Sequence, residues 1–187
     1  VASEEAEPLP FHLPVPEGWK TEAIPFPLGF APELDYEGLE ELRFAPGMFD
    51  STAVDFWSYA FVWWIEADAF PAREQLEKEL VAYWDGLARV VAPGKGFDMG
   101  DHESTVTLYP LPTATMNPIA GYSGKARIFD SFVTGRPLDL NLSIGFEQCA
   151  EQGRRVIFVE VSPQPNSHEV WGAMEAIREG FACGESE

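Results

Sequence analysis

The longest run of large apolar residues, 55–66, predicts the central strand of the fold. It contains no Gly or Pro, and aromatic and β-branched residues over this length favour a strand rather than a helix. Alternate residues of a strand point to opposite faces, which gives an aromatic face made of Trp57, Tyr59, Phe61, Trp63 and Ile65. These side chains are uniformly large, so we expect a helix to cover them. Ser58 and Ala60 on the other face are small enough for a second element to approach closely.

Two stretches have the three- and four-residue spacing of an amphipathic helix. The first starts near Pro71 and ends at Pro93, and its apolar stripe consists of Leu76, Leu80, Tyr83, Trp84, Leu87, Ala88 and Val91. We expect this stripe to lie on the aromatic face. The second helix, 167–181, has an apolar face made of Val170, Trp171, Met174, Ile177 and Phe181. Asn166, just before this helix, and Glu169, three residues later, have the spacing of a capping box.

The other apolar segments are short and predict strands that follow one another directly. They cover residues 19–26, 39–45, 104–111, 124–135, 138–149 and 154–162. In segment 138–149 leucines alternate with polar residues, so one face of that strand is wet or lines a polar cleft. Strands in runs indicate the α+β class. We therefore predict a mostly antiparallel sheet of about six or seven strands covered by two main helices.

Proline and glutamate dominate the first 16 residues. Proline at this density favours extended chain over helix, so residues 1–16 are predicted to be a linker or a strap laid over the surface. The remaining residues, 17–187, show no internal repeat and no change of composition that would mark a boundary. A chain of 187 residues with 45% hydrophobic residues is typical of one globular domain.

The formal net charge of −19 restricts the choice of partner. It disfavours nucleic acid and anionic membrane surfaces, because both attract cationic proteins. No apolar run reaches the roughly 18 residues required to span a bilayer. We expect an unspecified small molecule or protein as partner, and a monomer or dimer.

The acidic, proline-rich opening is typical of a tether that follows a cleaved export signal. We therefore expect an exported protein, whether periplasmic, envelope-tethered or secreted, with a cytoplasmic location as the alternative. Cys149 ends a predicted strand and Cys183 follows the last helix. They form one disulfide if the protein is exported, or remain two half-buried thiols, and the residues leave both possibilities open. A structural zinc site is not expected, since there is no CxxC pair.

One loop carries the residues that most resemble metal ligands, namely Asp98, Asp101, His102 and Glu103. Carboxylates and imidazole bind divalent ions, but this spacing matches no calcium-loop or zinc pattern. In a chain with 31 acidic residues such a cluster is expected by chance. We predict no metal and no cofactor.

Catalytic groups are sparse in the sequence. None of His12, His102 and His168 lies near a G-x-S-x-G nucleophile elbow. Glu66 and Glu160 lie toward the ends of apolar strands and form a candidate carboxylate pair for acid–base chemistry. No nucleotide-binding glycine motif is present. The sequence therefore favours a non-enzymatic role.

Two parts of the chain resemble the PsbP-like fold. They are Pro16-Glu17-Gly18-Trp19-Lys20 at the entry to the first strand, and strand 156–162 running into helix 167–181. This fold is an antiparallel sheet sandwiched by helices, and it is common among exported bacterial lipoproteins and thylakoid-lumen proteins. The resemblance implies an accessory or binding role rather than catalysis, and it implies no site residue.

The main functional hypothesis is a non-enzymatic exported envelope accessory or binding domain. Its ligand would contact Ser58, Asn141 and Ser143. The tryptophans and tyrosines of residues 57–64 and Trp84 suit sugars, peptides or small amphiphiles where they are exposed, although such residues more often form the core. One alternative is a small hydrolase with a Glu- and His-lined cleft beside Asn141 and Ser143. Another is an acidic cytoplasmic interaction module.

Overall fold

A seven-stranded antiparallel sheet forms the centre of the computed structural model, which describes residues 8–112 and 121–185. Its strands are β2 (Lys20–Pro25), β3 (Glu37–Phe44), β4 (Tyr59–Glu66), β5 (Thr105–Pro110), β6 (Tyr122–Phe129), β7 (Pro137–Cys149) and β8 (Arg154–Ser162). Their spatial order is β2-β3-β4-β8-β7-β6-β5. Two helices, α1 (Arg73–Val91) and α2 (Glu169–Glu179), flank the sheet. The predicted α+β class and the predicted order of these elements are confirmed.

Two short strands are absent from the sequence prediction. The strands β1 (Phe11–His12) and β9 (Ala182–Cys183) pair antiparallel as a separate sheet. A strand of two residues is too short to show a hydrophobic period. This pairing joins the strap, residues 8–16, to the end of the chain.

The α1 helix covers the aromatic face of β4, as predicted. Trp57, Tyr59, Phe61, Trp63 and Ile65 are all buried in the larger apolar core together with Leu76, Leu80, Tyr83 and Trp84. The Phe61 and Tyr83 rings stack with their centroids 5.0 Å apart. Because β4 pairs with β3 on one side and β8 on the other, its side chains have neighbours in every direction.

The α2 helix and the strap cover the other face of the sheet. Val170, Met174 and Ile177 of the predicted stripe pack against Ala60 and Val62 in a second core. Arg43 of β3 is 2% exposed, and its guanidinium donates to the backbone carbonyls of Leu13 and Pro14. The strap is thus fastened to the sheet by a buried side chain. Residues 1–7 of the predicted linker lie outside the described part of the chain.

Strand β4 begins at Tyr59, four residues later than the prediction from the run 55–66. The preceding residues form turns in which Asp55 Oδ2 accepts a hydrogen bond from the backbone N–H of Gly47 at 3.0 Å. Trp57 has a φ of 55°, in the left-handed region that no strand uses. Its ring nevertheless remains in the core. Aromatic composition identifies burial here, but it does not identify the backbone conformation.

Strand β6 ends at Phe129, and the predicted strand 124–135 is therefore too long at its end. The reason is Asp130, whose carboxylate accepts hydrogen bonds from the backbone N–H groups of Phe132, Val133 and Thr134. Asp side chains that bond the backbone just ahead stabilise turns. The residues before β6, 113–120, lie outside the described part of the chain.

Helix α2 begins at Glu169 with His168 as its N-cap. The imidazole Nδ1 of His168 accepts a hydrogen bond from the backbone N–H of Val170 at 3.1 Å, so the capping box predicted for Asn166 is wrong. Among the described residues, neither this helix nor α1 combines the length and the apolar character required to cross a membrane.

Candidate functional site

An apolar cavity of about 450 Å³ lies between α1 and the part of the sheet formed by β2, β3 and β4. We call it the α1 cavity. It is lined by seven aromatic side chains, namely Phe30, Phe44, Phe49, Trp57, Tyr59, Tyr83 and Phe132. Ile24, Leu42, Met48, Leu87 and Val91 complete the apolar wall, and Lys20, Thr21 and Glu22 of the edge strand β2 form the polar part of the lining.

Polar side chains outside the cavity fix the loops that form its walls. The hydrogen bonds of Asp130 hold the turn that carries Phe132, and Asp55 holds the turn that carries Met48 and Phe49. Gly86 lets α1 approach the backbone of the loop that carries Phe30, because a Cβ at this position would overlap the Phe30 carbonyl oxygen. The lining therefore rests on buried, hydrogen-bonded loop ends.

Glu40 lies behind the inner wall of the α1 cavity, next to the lining residues Ile24 and Tyr83. It pairs across the sheet with Ile24 and Trp63, lies two residues from Leu42 on the same face of β3, and has no exposed surface. Tyr83 and the Trp63 indole are close enough to perturb the pKa of its carboxyl group. Neither carboxyl oxygen has a partner with the full geometry of a hydrogen bond. Glu40 is thus a buried acid without a satisfying partner.

Burial raises the pKa of Glu40 to about 8, and the neighbouring Glu22 carboxylate acts in the same direction. The contacts with Tyr83 and Trp63 favour the ionised form and only partly offset this effect. Burial also raises the pKa of Tyr83 and of Tyr59. At neutral pH the inner end of the cavity therefore holds a protonated carboxyl group and two neutral phenols.

A hydrogen bond connects the inner end of the cavity to the second aromatic residue of the α1 stripe. Trp84 Nε1 donates to Tyr59 Oη at 2.9 Å, and the pKa of Tyr83 is influenced by both Tyr59 and Glu40. No histidine or cysteine occurs among the residues that line the cavity. The lining therefore offers apolar contact, aromatic faces and a few hydrogen-bonding groups.

Ser58 does not face a ligand. It has no exposed surface, and its hydroxyl hydrogen-bonds that of Ser162 at 2.8 Å. A serine between two apolar strands needs an internal partner, and the adjacent strand provides one.

Asn141 and Ser143 lie on the polar face of β7, away from the α1 cavity. The Asn141 amide donates to the backbone carbonyl of Gln164 at 2.9 Å, and its side chain lines a groove of about 580 Å³ with Lys125 and Arg127. Arg127 forms an exposed ion pair with Asp139 at 2.8 Å. The alternation of β7 indicated this wet face correctly.

Ser143 lies opposite the buried Glu160 in the β7–β8 register. Burial raises the pKa of Glu160 to about 7, while the nearby Arg178 and a contact with Ser143 act in the opposite direction. The Arg178 Nε to Glu160 Oε1 distance is 3.6 Å. Together these residues form a buried ion pair with a serine beside it.

The predicted pair of Glu66 and Glu160 does not form. Glu160 lies opposite Ala60 on β4, whereas Glu66 is six residues further along that strand, about 20 Å away at the usual rise per residue. Glu66 instead contacts Arg154 at 3.5 Å. His168 caps α2, and the ring of His102 contacts Phe129.

The loop with Asp98, Asp101, His102 and Glu103 is not assembled around an ion. Asp98 Oδ1 accepts a hydrogen bond from the backbone N–H of Gly100 at 2.8 Å, which stabilises its own turn. In the described ranges, 8–112 and 121–185, no group of three or more His, Cys, Asp or Glu side chains is placed to hold a metal.

A disulfide joins Cys149 at the end of β7 to Cys183 in β9, with the two Cα atoms 5.5 Å apart. This corresponds to the first of the two cysteine states considered from the sequence. Because β9 pairs with β1, the bond also ties the strap to the end of β7, an interior strand of the main sheet.

Sequence reasoning missed Glu40 and Tyr83 as a pair. The signal was an acid on the same face of β3 as Leu42 and Phe44, a position where a solvent-facing residue does not belong. Which buried side chain it meets depends on where the helix lies, and that is a property of the tertiary structure.

Comparisons with protein-family models, curated proteins and solved structures give no match.

Proposed function

We propose that this chain is a non-enzymatic binding domain that holds a small, mainly apolar molecule in the α1 cavity. The observation that carries the proposal is a cavity of about 450 Å³ lined by seven aromatic side chains. Small-molecule sites in proteins typically measure about 300–1,000 Å³ and are mostly apolar with a few polar groups. The α1 cavity has this volume and this kind of lining, with Lys20, Thr21 and Glu22 as its polar groups.

The test uses the neutral fluorescent dye N-phenyl-1-naphthylamine, whose emission rises in apolar surroundings. We expect saturable binding to the native chain. Leu87 lines the cavity from α1, so Leu87→Trp fills the space and should weaken binding at least tenfold. Val90→Trp adds the same ring three residues further along the helix, where the native side chain is 63% exposed, and should leave binding unchanged.

Two results would contradict the proposal. One is an absence of saturable binding by the native chain. The other is equal loss of binding in Leu87→Trp and Val90→Trp, because the dye would then bind the outer surface of α1. Circular dichroism of both variants checks that α1 is intact.

We further propose that the domain is exported and acts as an envelope accessory protein. The Cys149–Cys183 disulfide supports this, since structural disulfides persist in oxidising compartments. Alkylation without reductant, followed by mass measurement of protein from its native cells, should label neither cysteine. Labelling of both would favour the cytoplasmic alternative. The PsbP-like relationship stays a prediction.

The hydrolase alternative has one supporting contact, Ser143 beside Glu160. The acid is already paired with Arg178, His102 contacts Phe129, and His168 caps α2. A serine nucleophile requires an adjacent base and an orienting acid, so the geometry favours binding. The acidic interaction module likewise stays a prediction.

A further inference from the structure

The charges around the α1 cavity are distributed unevenly. Glu22 lines the cavity directly from β2, and Glu40 lies behind the inner wall, next to Ile24 and Tyr83. The one cation in the lining is Lys20, at the exposed start of the edge strand. From the mouth inward, the cavity therefore passes from an exposed amine to a buried acid.

Glu40 has no cationic partner within the described part of the chain. It is fully buried, neither oxygen has a hydrogen-bond partner of full geometry, and none of the ion pairs there includes it. The other buried acids on the sheet differ in this respect, since Glu41 pairs with Arg43 and Glu160 with Arg178. An ionised acid that is buried without a nearby cation is energetically costly. A cationic ligand can supply that cation.

The aromatic walls favour the same kind of ligand. The faces of Trp, Tyr and Phe rings carry a negative quadrupole potential that attracts cations, most strongly where water is excluded. Tyr83 and Tyr59 lie at the inner end, and Trp57 and Phe44 lie along the wall. Aromatic faces and carboxyl groups are the combination by which proteins recognise ammonium groups.

We propose that the ligand of the α1 cavity is an apolar molecule with one cationic nitrogen. Its apolar body lies among Leu42, Leu87 and the aromatic wall, and its nitrogen lies beside Glu22 and the Tyr83 ring. The buried Glu40 carboxyl group lies behind that wall. This inference rests on the proposed function, since it names the ligand class of the same cavity. An anionic amphiphile of the same size meets two acids there instead.

Glu40 links this recognition to pH. With a pKa of about 8, its carboxyl group is mostly protonated at neutral pH, and a nearby cation favours the ionised form. The groups that face it are Glu22 from β2, Trp63 from β4, and Tyr83 from α1, with Tyr59 influencing it from β4. Burial holds the pKa values of both tyrosines above their usual range. Of Glu40 and the two tyrosines, Glu40 is therefore the one whose pKa, about 8, lies within the assay range of about pH 6.5 to 9.

The test compares three probes with the same ten-carbon chain, decyltrimethylammonium, decanol and decanoate, by isothermal titration calorimetry below their micelle concentrations. We expect the cation to bind the native chain about tenfold more tightly than the alcohol, the size of one good charge contact, and decanoate to bind most weakly. The affinity for the cation should rise with pH through about 8. The quaternary nitrogen does not titrate, so such a change belongs to the protein.

The variants Glu40→Gln and Glu22→Gln should each reduce the preference for the cation several-fold, and Glu40→Gln should also remove its pH dependence. Glu103→Gln removes one charge from an exposed loop and controls for the net charge of −19. An equal loss in Glu103→Gln would overturn the inference, because attraction would then come from the whole surface.

Two further outcomes separate the inference from the proposed function. If all three probes bind equally and Leu87→Trp weakens the binding of each, the cavity is a binding site but the inferred preference for a cationic nitrogen is wrong. If no probe binds the native chain, the binding function itself fails. Since Glu22 is exposed, its variant keeps the test decisive even where Glu40→Gln folds poorly.

Discussion

Replacing Glu40 by glutamine should change how the stability of the protein depends on pH. The folded state holds the pKa of this carboxyl at about 8, against about 4.5 for a glutamate exposed to water. Between these two values the unfolded chain releases the proton while the folded protein keeps it, so the unfolding free energy of the native chain falls as pH rises. The contribution is fully present below about pH 4.5 and is lost by about pH 8.

The size of the effect follows from the shift. At about 1.4 kcal/mol per pKa unit, the full difference corresponds to about 5 kcal/mol, and roughly 3 kcal/mol of it is lost by pH 7. Glutamine has the shape of the protonated acid and cannot ionise. Glu40→Gln should therefore match the native chain near pH 4.5 and exceed its stability by several kcal/mol at pH 9.

Urea denaturation at pH 5, 7 and 9 measures the difference between the two chains at each pH. Subtracting the curves removes the contributions of the other acids, including Glu160, whose pKa is also raised. Glu103→Gln, in an exposed loop, controls for the loss of one charge. A difference between native and Glu40→Gln chains that stays constant from pH 5 to 9 would refute the account of a buried, unpaired acid.

Three further substitutions, at Asp130, Arg43 and Gly86, test the packing around the cavity and beneath the strap, and Asp139→Ala and Gly94→Ala serve as controls. Asp130→Ala should cost roughly 1–3 kcal/mol in thermal or urea unfolding and weaken dye binding, because several turn N–H groups lose their acceptor. Asp139→Ala, which removes an exposed ion pair, should cost less than about 1 kcal/mol. Arg43→Ala should cost about 3–5 kcal/mol and speed hydrogen exchange in residues 8–16, since it breaks a buried pair and frees the strap. Gly86→Ala should lower the melting temperature where Gly94→Ala does not, because a Cβ has no room at the first position and open space at the second.

The sequence predicts the covered face of β4 because two independent periods agree. The two-residue period of Phe61, Trp63 and Ile65 calls for an apolar cover, and the stripe with Leu76 and Leu80 supplies it in the next element of the chain. Because both apolar surfaces can be identified from their periods and α1 directly follows β4 in the chain, the simplest arrangement packs α1 on this face of β4.

The candidate site depends on tertiary contacts that hydrophobic periodicity does not predict. Glu40 and Tyr83 are separated by a strand and half a helix in the sequence, and their meeting depends on where α1 lies across the sheet. Ser58 was expected to face a ligand because it is small and polar, but the adjacent strand placed Ser162 opposite it. The start of β4 was missed for a similar reason, since Trp57 combines core burial with a left-handed backbone.

Methyl-resolved NMR during titration with decanol tests most directly whether the α1 cavity holds a ligand. The account predicts saturable shift changes confined to the methyl groups that line the cavity, those of Ile24, Leu42, Met48, Leu87 and Val91. The methyl groups on the α2 face of the sheet, including Val156 and Met174, should stay in place. Shift changes centred on that second face, or none that saturate, would contradict the account.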